Sequence, residues 1–134
     1  EKNFRDEKPH GTWTWYFEGT KNPRQKETYE LGKLMGARHT WFANGKKSKE
    51  ETFKFNLLAG PVKTFYEDGS LESEGTYRSN RRHGVFISYY PNGKIKEQGE
   101  YVADKKHKEW KEFDEEGNLK RVLAFKAGVL VSEN

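Results

Sequence analysis

The chain has 134 residues, a formal net charge of +4 and no cysteine, which excludes disulfides and thiolate chemistry. Charged residues make up 34% of the chain, but Lys and Arg are interleaved with Asp and Glu, so we predict no continuous basic face for nucleic acid. Aromatic residues make up 15% and recur at fixed positions, which favours a thin, extended sheet over a thick globular core.

Residues 1–10 are polar, and we interpret them as a loosely attached or disordered lead-in. Because the chain begins without methionine, we favour an exported or cell-envelope protein over a cytoplasmic one. Trp13–Phe17 is the first β-prone strand, and an irregular loop follows it. From Tyr29 onward, equivalent residues return every 24 positions, which is the mark of a repeat architecture.

Each repeat carries two turn signals. The first-turn dipeptides are Asn44-Gly45, Asp68-Gly69, Asn92-Gly93 and Glu116-Gly117, and the second-turn residues are Gly32, Asn56, Asn80, Asp104 and Gly128. All of these residues, apart from Glu116, either tolerate positive φ or hydrogen-bond their own backbone in turns. We therefore predict an all-β fold, an elongated antiparallel meander of about ten strands built from ~24-residue β-hairpin repeats. Its single domain covers residues 11–134, with units at about 11–35, 36–59, 60–83, 84–107 and 108–134.

The unit at residues 84–107 shows the expected hairpin most clearly. A type I turn centred on Pro91-Asn92, followed by a left-handed Gly93, avoids asking proline for an N–H that it lacks. In that register Tyr89 lies opposite Ile95 and Val85 lies opposite Gly99. A slip of one residue would move the first strand's side chains to the other face, so which of the paired rings is buried stays open.

Glycines inside or at the start of strands need a reason, because glycine weakens pairing there. We predict that Gly75 and Gly99 lie under aromatic rings that cover bare backbone. The same role is expected for the glycines that open successive units, which are Gly36, Gly60 and Gly84.

The pattern Gly-x-x-x-x-aromatic-aromatic-x-Asn-Gly-Lys-x-x-x-x-Gly-x-Tyr resembles the MORN repeat in its bacterial variant form, from about Gly11 to Gly128. The last unit departs from it, with Lys108 for the opening glycine, Asp114 for the second aromatic residue and Leu123 for the strand glycine. The resemblance implies successive hairpins, a scaffold or interaction role that in some members involves membranes, and an antitoxin role in some relatives. It brings no catalytic residues.

The remaining polar motifs favour structural roles over chemistry. His83 and His107 precede equivalent positions and are separated by two strands, about 10 Å, so we interpret them as position-matched turn residues rather than metal ligands. Glu97 and Glu100 belong to a set of acids interleaved with Lys, as in solvated cross-strand pairs. We therefore predict a non-enzymatic protein with no catalytic residues, metal or cofactor.

Aromatic rows are the predicted binding feature. One row is Trp41, Phe65, Tyr89 and Phe113, and its neighbour on the opposite face is Phe42, Tyr66 and Tyr90. The structural alternative is that both rows only rigidify the sheet. We expect a scaffold that binds an unidentified protein through such a face, in an antitoxin-like role if the resemblance extends that far.

The alternative is a peripheral module that binds anionic lipid or glycan. It would use the rings together with a basic fringe of Arg81, Arg82, Lys105 and Lys106. Self-association through the end strands, Trp13–Phe17 and Val129–Val131, is expected as a further contact.

Overall fold

The computed structural model describes residues 4–5 and 8–134. In chain order the strands are β1 (Phe4–Arg5), β2 (Lys8–Pro9), β3 (Gly11–Tyr16), β4 (Pro23–Glu30), β5 (Lys33–Leu34), β6 (Gly36–Trp41), β7 (Lys47–Lys54), β8 (Leu57–Leu58), β9 (Gly60–Phe65), β10 (Leu71–Arg78), β11 (Arg81–Arg82), β12 (Gly84–Tyr89), β13 (Ile95–Val102), β14 (Lys105–Phe113), β15 (Leu119–Lys126) and β16 (Val129–Glu133). Among these described residues, no helix has the length and apolarity needed to cross a membrane.

Fourteen of the described strands form one antiparallel sheet in which spatial order follows chain order, from β3 to β16. The two-residue strands β5, β8 and β11 each pair at the second turn of a hairpin. The predicted all-β meander of hairpins is confirmed. The described strands number more than the predicted ten because three second turns carry an additional two-residue strand and the lead-in adds β1 and β2.

The first turn has the predicted geometry. The Gly93 N–H donates to the Tyr90 carbonyl at 2.9 Å, and the Tyr90 N–H donates to the Lys94 carbonyl at 2.8 Å. Gly93 has φ of 89°, and Tyr89 lies opposite Ile95. Pro91 therefore lies in the turn, where the strand ladder needs no N–H donor from it.

Beyond this turn the predicted register is wrong by one residue. A β-bulge places Lys96 between the pairs that Ser88 and Tyr89 make, so Phe86 lies opposite Gly99 and Val85 opposite Glu100. A register shift at the matching place occurs in every hairpin of the sheet. Gly99 therefore shares a face with Phe86 rather than with Val85, because one inserted residue exchanges the faces of a strand.

The opening glycines bend the chain and do not lie under rings. Gly36 and Gly84 have φ of 81° and 92°, in the left-handed region that residues with a Cβ avoid. A Cβ at either position would meet no heavy atom within 4 Å, and at Gly60 it would meet Thr52, which carries no ring. The ring-covering role predicted for these three glycines is therefore wrong. Lys108 takes the same position with φ of 60°, so the bend persists even where the sequence offers no glycine.

Hydrogen-bonded clamps join successive units along the second turns. The Asn80 N–H donates to the Leu58 carbonyl at 2.9 Å, and the Leu58 N–H donates back to Asn80 Oδ1 at 2.7 Å. Asn56 clamps Leu34 in the same way, and Asp104 clamps Arg82. The second-turn side chain thus accepts a bond across units, in addition to tolerating positive φ, and this use was not predicted.

A different set of bonds braces the first turns. Asn44 Nδ2 donates to the Glu67 carbonyl and Asn92 Nδ2 donates to the Glu115 carbonyl, each at 2.8 Å. The carboxylate of Asp68, at the equivalent position between them, has no N–H to donate and accepts from Ser70 instead. The first turns along one side of the sheet and the second turns along the other are therefore both hydrogen-bonded from one unit to the next.

Part of the expected lead-in is joined to the first unit. Phe4–Arg5 pairs with Lys8–Pro9, and the Phe4 ring meets Trp13 edge-on with centroids 5.1 Å apart. The Pro9 carbonyl accepts from the Gly32 N–H at 2.7 Å, as the Leu34 carbonyl does from the Asn56 N–H of the next second turn. Residues 1–3 and 6–7 of the lead-in lie outside the described residues.

Candidate interaction surfaces

The two faces of the sheet differ in burial. The buried side chains are Glu27, Glu51, Phe53, Tyr101 and Trp110. Register and alternation place all of them on one face, which we call the buried face. Val85, which is 62% exposed, lies on the other, which we call the open face.

On the buried face, aromatic rings cover bare glycine backbone. A Cβ on Gly75 would lie 2.5 Å from the Phe86 ring, and a Cβ on Gly99 would lie 2.1 Å from the Trp110 ring. These contacts confirm the prediction for both glycines. The indole of Trp110 also donates to the Glu100 carbonyl at 3.0 Å, next to an interruption in the strand ladder. The ring thus fills space and satisfies a backbone group.

These rings continue as a stack that two cations cover. Tyr101 packs edge-on between Phe86 and Trp110, with centroids 5.0 and 4.8 Å away. The Arg82 guanidinium lies 4.2 Å from the Tyr101 centroid, and Lys106 Nζ lies 4.6 Å from that of Trp110. Two of the four residues in the predicted basic fringe are therefore engaged on the buried face.

Earlier in the chain, the same face carries a charged cluster. Arg38 lies between Glu27 and Glu51, with nitrogen–oxygen distances of 3.4 and 2.9 Å. Burial works to lower the pKa of Arg38, but the hydrogen bond and charge of Glu51 and the charge of Glu27 together raise it. Burial and a hydrogen bond to Glu27 raise the pKa of Tyr29 to about 12, so its hydroxyl stays protonated as a donor. Sequence reasoning missed this cluster.

The open face carries the first predicted aromatic row. The register pairs Phe65 with Leu71, Tyr89 with Ile95 and Phe113 with Leu119. We call the resulting line the apolar row; its members are Trp41, Phe65, Leu71, Tyr89, Ile95, Phe113 and Leu119. Leu119 is 54% exposed, and the other six side chains are half-buried. The predicted pairing of Tyr89 with Ile95 is confirmed, whereas the equivalent places of Leu71 and Leu119 in the row were not predicted.

The second predicted row has a bracing role. Phe42, Tyr66 and Tyr90 are the next residues along each strand, and alternation directs them to the buried face. The Tyr66 hydroxyl donates to the Tyr89 carbonyl at 2.6 Å, and the Tyr90 hydroxyl donates to the Phe113 carbonyl at 2.7 Å. All three rings are half-buried, and the two tyrosine hydroxyls each tie one unit to the next, whereas Phe42 has no hydroxyl to do so.

Charged groups of alternating sign border the apolar row on the open face. The Tyr89 hydroxyl donates to Glu74 at 2.6 Å, and burial together with this bond raises the pKa of Tyr89 to about 12. Lys47 pairs with Glu50 at 2.8 Å. Burial, then the charge of Lys47, lowers the pKa of His39, whose ring lies 5.8 Å from that of Trp41.

The remaining two basic-fringe residues, Arg81 and Lys105, belong to the open face. Arg81 lies opposite Arg78, and Lys105 lies opposite Val102. Both border depressions at the second-turn edge that His83 and His107 also line, one in each depression. Within residues 4–5 and 8–134, no group of three or more His, Asp or Glu residues is placed to hold a metal ion.

The acids that are interleaved with Lys are divided between the two faces of the sheet. Glu97 faces Glu112 on the buried face, whereas Glu100 faces His107 on the open face. Glu112 pairs with Arg121 at 3.1 Å, and Glu97 has a Lys106 nitrogen at 3.8 Å. Each acid of the Glu97–Glu112 pair thus has a cationic neighbour, as expected for cross-strand ion pairs.

An open sheet of hairpin repeats, braced at both edges and with a core on one side only, defines a β-repeat scaffold. A family model described as MORN repeat variant matches residues 58–79, 82–103 and 106–127, three consecutive repeats whose span from 58 to 127 is just over half of the chain. The chain belongs to the MORN-repeat family, whose members are generally non-enzymatic scaffolds for interactions with proteins or membranes. Comparison with curated proteins finds no match.

Proposed function

We propose that this protein is a non-enzymatic scaffold that binds another protein through its open face. The observation that supports this is the unequal burial of the two faces. The buried side chains lie on one face, and the apolar row lies half-exposed on the other. A contiguous, partly exposed line of aromatic and aliphatic side chains bordered by charges is typical of a protein interface.

The rigidity of the sheet favours such a role. Clamps such as Asn80 to Leu58 and braces such as Asn92 to Glu115 fix each unit against the next. A surface that is already ordered loses little conformational entropy on binding, so more of the contact energy remains as affinity. The alternating charges of Lys63, Glu74 and Glu50 beside the row would select the partner rather than supply most of the affinity.

Two finer roles extend this proposal. In an antitoxin-like role the partner would be a toxin, and co-expression with its cognate toxin should restore growth only when the open face is intact.

Self-association would use β16, where Val129 and Val131 are 64% and 60% exposed. Light scattering of the wild type and of Val131→Lys at high concentration tests it, and a monomeric mass for both would overturn it.

Site-directed photo-crosslinking in the native cell tests the face that binds. A photoreactive amino acid replaces Lys63 or Lys111 on the open face, and Lys49 on the buried face is the matched control, since all three side chains are exposed. We expect one discrete crosslinked protein from Lys63 and Lys111 and none from Lys49. The purified crosslinked protein should then bind the wild type and lose affinity for Val85→Glu.

Equal crosslinks from both faces, crosslinks from Lys49 only, or no crosslinked protein at all would contradict the proposal. Crosslinked lipid in place of protein, fading as salt rises, would favour the peripheral-membrane alternative.

A further inference from the structure

At the second-turn edge, units three to five form a groove from two adjoining depressions of about 380 and 490 Å³. The first is lined by Arg78, Ser79, Arg81, His83 and Ala103, and the second by Arg81, Val102, Ala103, Lys105, Lys106, His107, Lys126 and Ala127. Arg81 and Ala103 border both, so the two are continuous. We call this the second-turn groove.

The rim of the groove is cationic and has free charges. Arg78, Arg81, Lys105 and Lys126 make no ion pair with any residue that the structure describes, and no Asp or Glu lines the groove. The adjacent Arg82, in contrast, pairs with Asp104 at 3.0 Å on the buried face. Repulsion among unpaired cations along one edge favours an anionic occupant.

The floor of the groove is apolar, which narrows the kind of occupant. Val102 is 40% exposed, and Ala103 and Ala127 continue the surface on either side of Lys105. A bare phosphate group would gain nothing from such a floor, whereas a peptide with aliphatic side chains would bury them there. The rim crosses five neighbouring strands, from Arg78 to Lys126, or about 19 Å at ~4.8 Å per strand. An extended peptide covers that length with about six residues.

We propose that the second-turn groove binds an acidic segment of the partner protein, about six residues long, in which carboxylates alternate with aliphatic side chains. The carboxylates pair with the rim, and the aliphatic groups lie on Val102, Ala103 and Ala127. This inference rests on the proposed function and gives the partner a chemical signature. Arg81, Val102 and Lys105 belong to the open face, although Lys106 reaches the groove from the buried face, so one partner can contact both the groove and the apolar row.

The first two units offer a matched control. Lys33 and Lys54 occupy the positions equivalent to Arg81 and Arg78. Lys33, however, faces Glu30, and Lys54 faces Leu57. Neither lysine therefore faces another cation, whereas Arg78 faces Arg81. Removing charge from these lysines changes the net charge as much as removing it from the groove, but leaves the groove intact.

The test uses a fluorescent eight-residue peptide of alternating glutamate and leucine, with anisotropy measured at low and at physiological salt. We expect Arg81→Gln/Lys105→Gln to weaken binding about fivefold, the effect of losing two exposed ion pairs. Lys33→Gln/Lys54→Gln should bind as the wild type does. A peptide with glutamine in place of glutamate should bind weakly to all three proteins.

Equal weakening by both double variants, or equal binding of the glutamine peptide, would overturn the proposal. So would binding of phosphatidylserine vesicles that is lost in Arg81→Gln/Lys105→Gln while the glutamate peptide does not bind. None of the four substituted side chains makes an ion pair with a residue that the structure describes, so urea unfolding midpoints of both double variants should match the wild type. The crosslinks from Lys63 and Lys111 are scored separately, so a failed groove and a failed scaffold proposal give different results.

Discussion

Equivalent positions on the buried face carry ion pairs in the second unit and rings over glycine in the later ones. Arg38 and Trp110 occupy the same place in the repeat, and so do Glu51 and Gly99. Arg38 binds the carboxylates on both sides of it, whereas the Trp110 ring lies on bare backbone. The fold therefore needs a flat group over this position and accepts either a guanidinium or an aromatic ring.

The ring on glycine and the guanidinium between carboxylates should respond differently to mutation. A ring on glycine depends on shape and buried area, so its cost on mutation is one of packing. A guanidinium between two buried carboxylates depends on every partner being present, because a buried charge left alone is strongly unfavourable. Arg38 also lies 4.5 Å from the Phe53 ring, as Arg82 lies over Tyr101, so part of its role is that of a flat, ring-like group.

The largest expected change in stability comes from mutation of the charged cluster. Arg38→Ala leaves Glu27 and Glu51 buried without their cation and should lower the free energy of unfolding by about 3 kcal/mol, the low end for such a loss because Arg38 is partly exposed. Urea unfolding at neutral pH measures it. As control, Glu27→Gln/Arg38→Met/Glu51→Gln removes the charges together and should cost less. A smaller loss for Arg38→Ala than for this triple variant would refute the account.

The next largest change in stability is expected where a ring covers glycine. Gly99→Ala places a Cβ 2.1 Å from the Trp110 ring and should cost about 1–3 kcal/mol by overpacking. In a Trp110→Leu background the ring is gone, so the same substitution should cost clearly less. A double-mutant cycle by urea unfolding gives the coupling. Strict additivity of the two changes would show that the ring does not lie on Gly99.

A smaller, stabilising effect is expected where the last unit departs from the pattern. Lys108 holds φ of 60° at the opening position, so Lys108→Gly should raise the free energy of unfolding by about 1 kcal/mol. Gly84→Ala is the reverse experiment, with no steric neighbour for the new Cβ, and should lower it by about the same amount. If both substitutions shift the thermal midpoint in the same direction, the backbone argument fails.

The smallest expected effect is a pH dependence of the Asp104 clamp, which the asparagine clamps do not share. Hydrogen bonds from Arg82, backbone first and then side chain, hold the pKa of Asp104 below its usual 3.8. A depressed carboxyl pKa stabilises the fold above the unfolded-state pKa, and this contribution is lost as pH falls through the folded-state value. Asp104→Asn keeps the acceptor, as Asn80 does, but does not titrate.

The stability of the wild type relative to Asp104→Asn should therefore fall between about pH 5 and about pH 2. Urea midpoints of the two proteins measured side by side give this difference. A difference that stays constant with pH would remove Asp104 from the clamp.

Much of this molecule was predictable from local signals. The 24-residue spacing, the left-handed Gly93 and the rings over Gly75 and Gly99 follow from turn chemistry and from the cost of glycine in a strand. The register beyond the first turn was not predictable in this way. A bulge at Lys96 inserts one residue without any change in composition, and it exchanges the faces of every residue after it.

The charged cluster escaped prediction for a related reason. Glu27 and Glu51 lie 11 and 13 positions from Arg38, in a chain in which charges are common everywhere. Only the pairing of β4, β6 and β7 brings them together and buries them. The second-turn groove likewise takes shape only through strand pairing, which brings together cations from three successive units.

The repeat length could be predicted from the spacing of equivalent residues, and the hairpins and their turns from residues a few positions apart. Which face is buried, which cations are paired and where open surface remains followed only from the pairing of the strands. Those properties depend on register between strands, and a single inserted residue such as Lys96 resets that register for a whole strand.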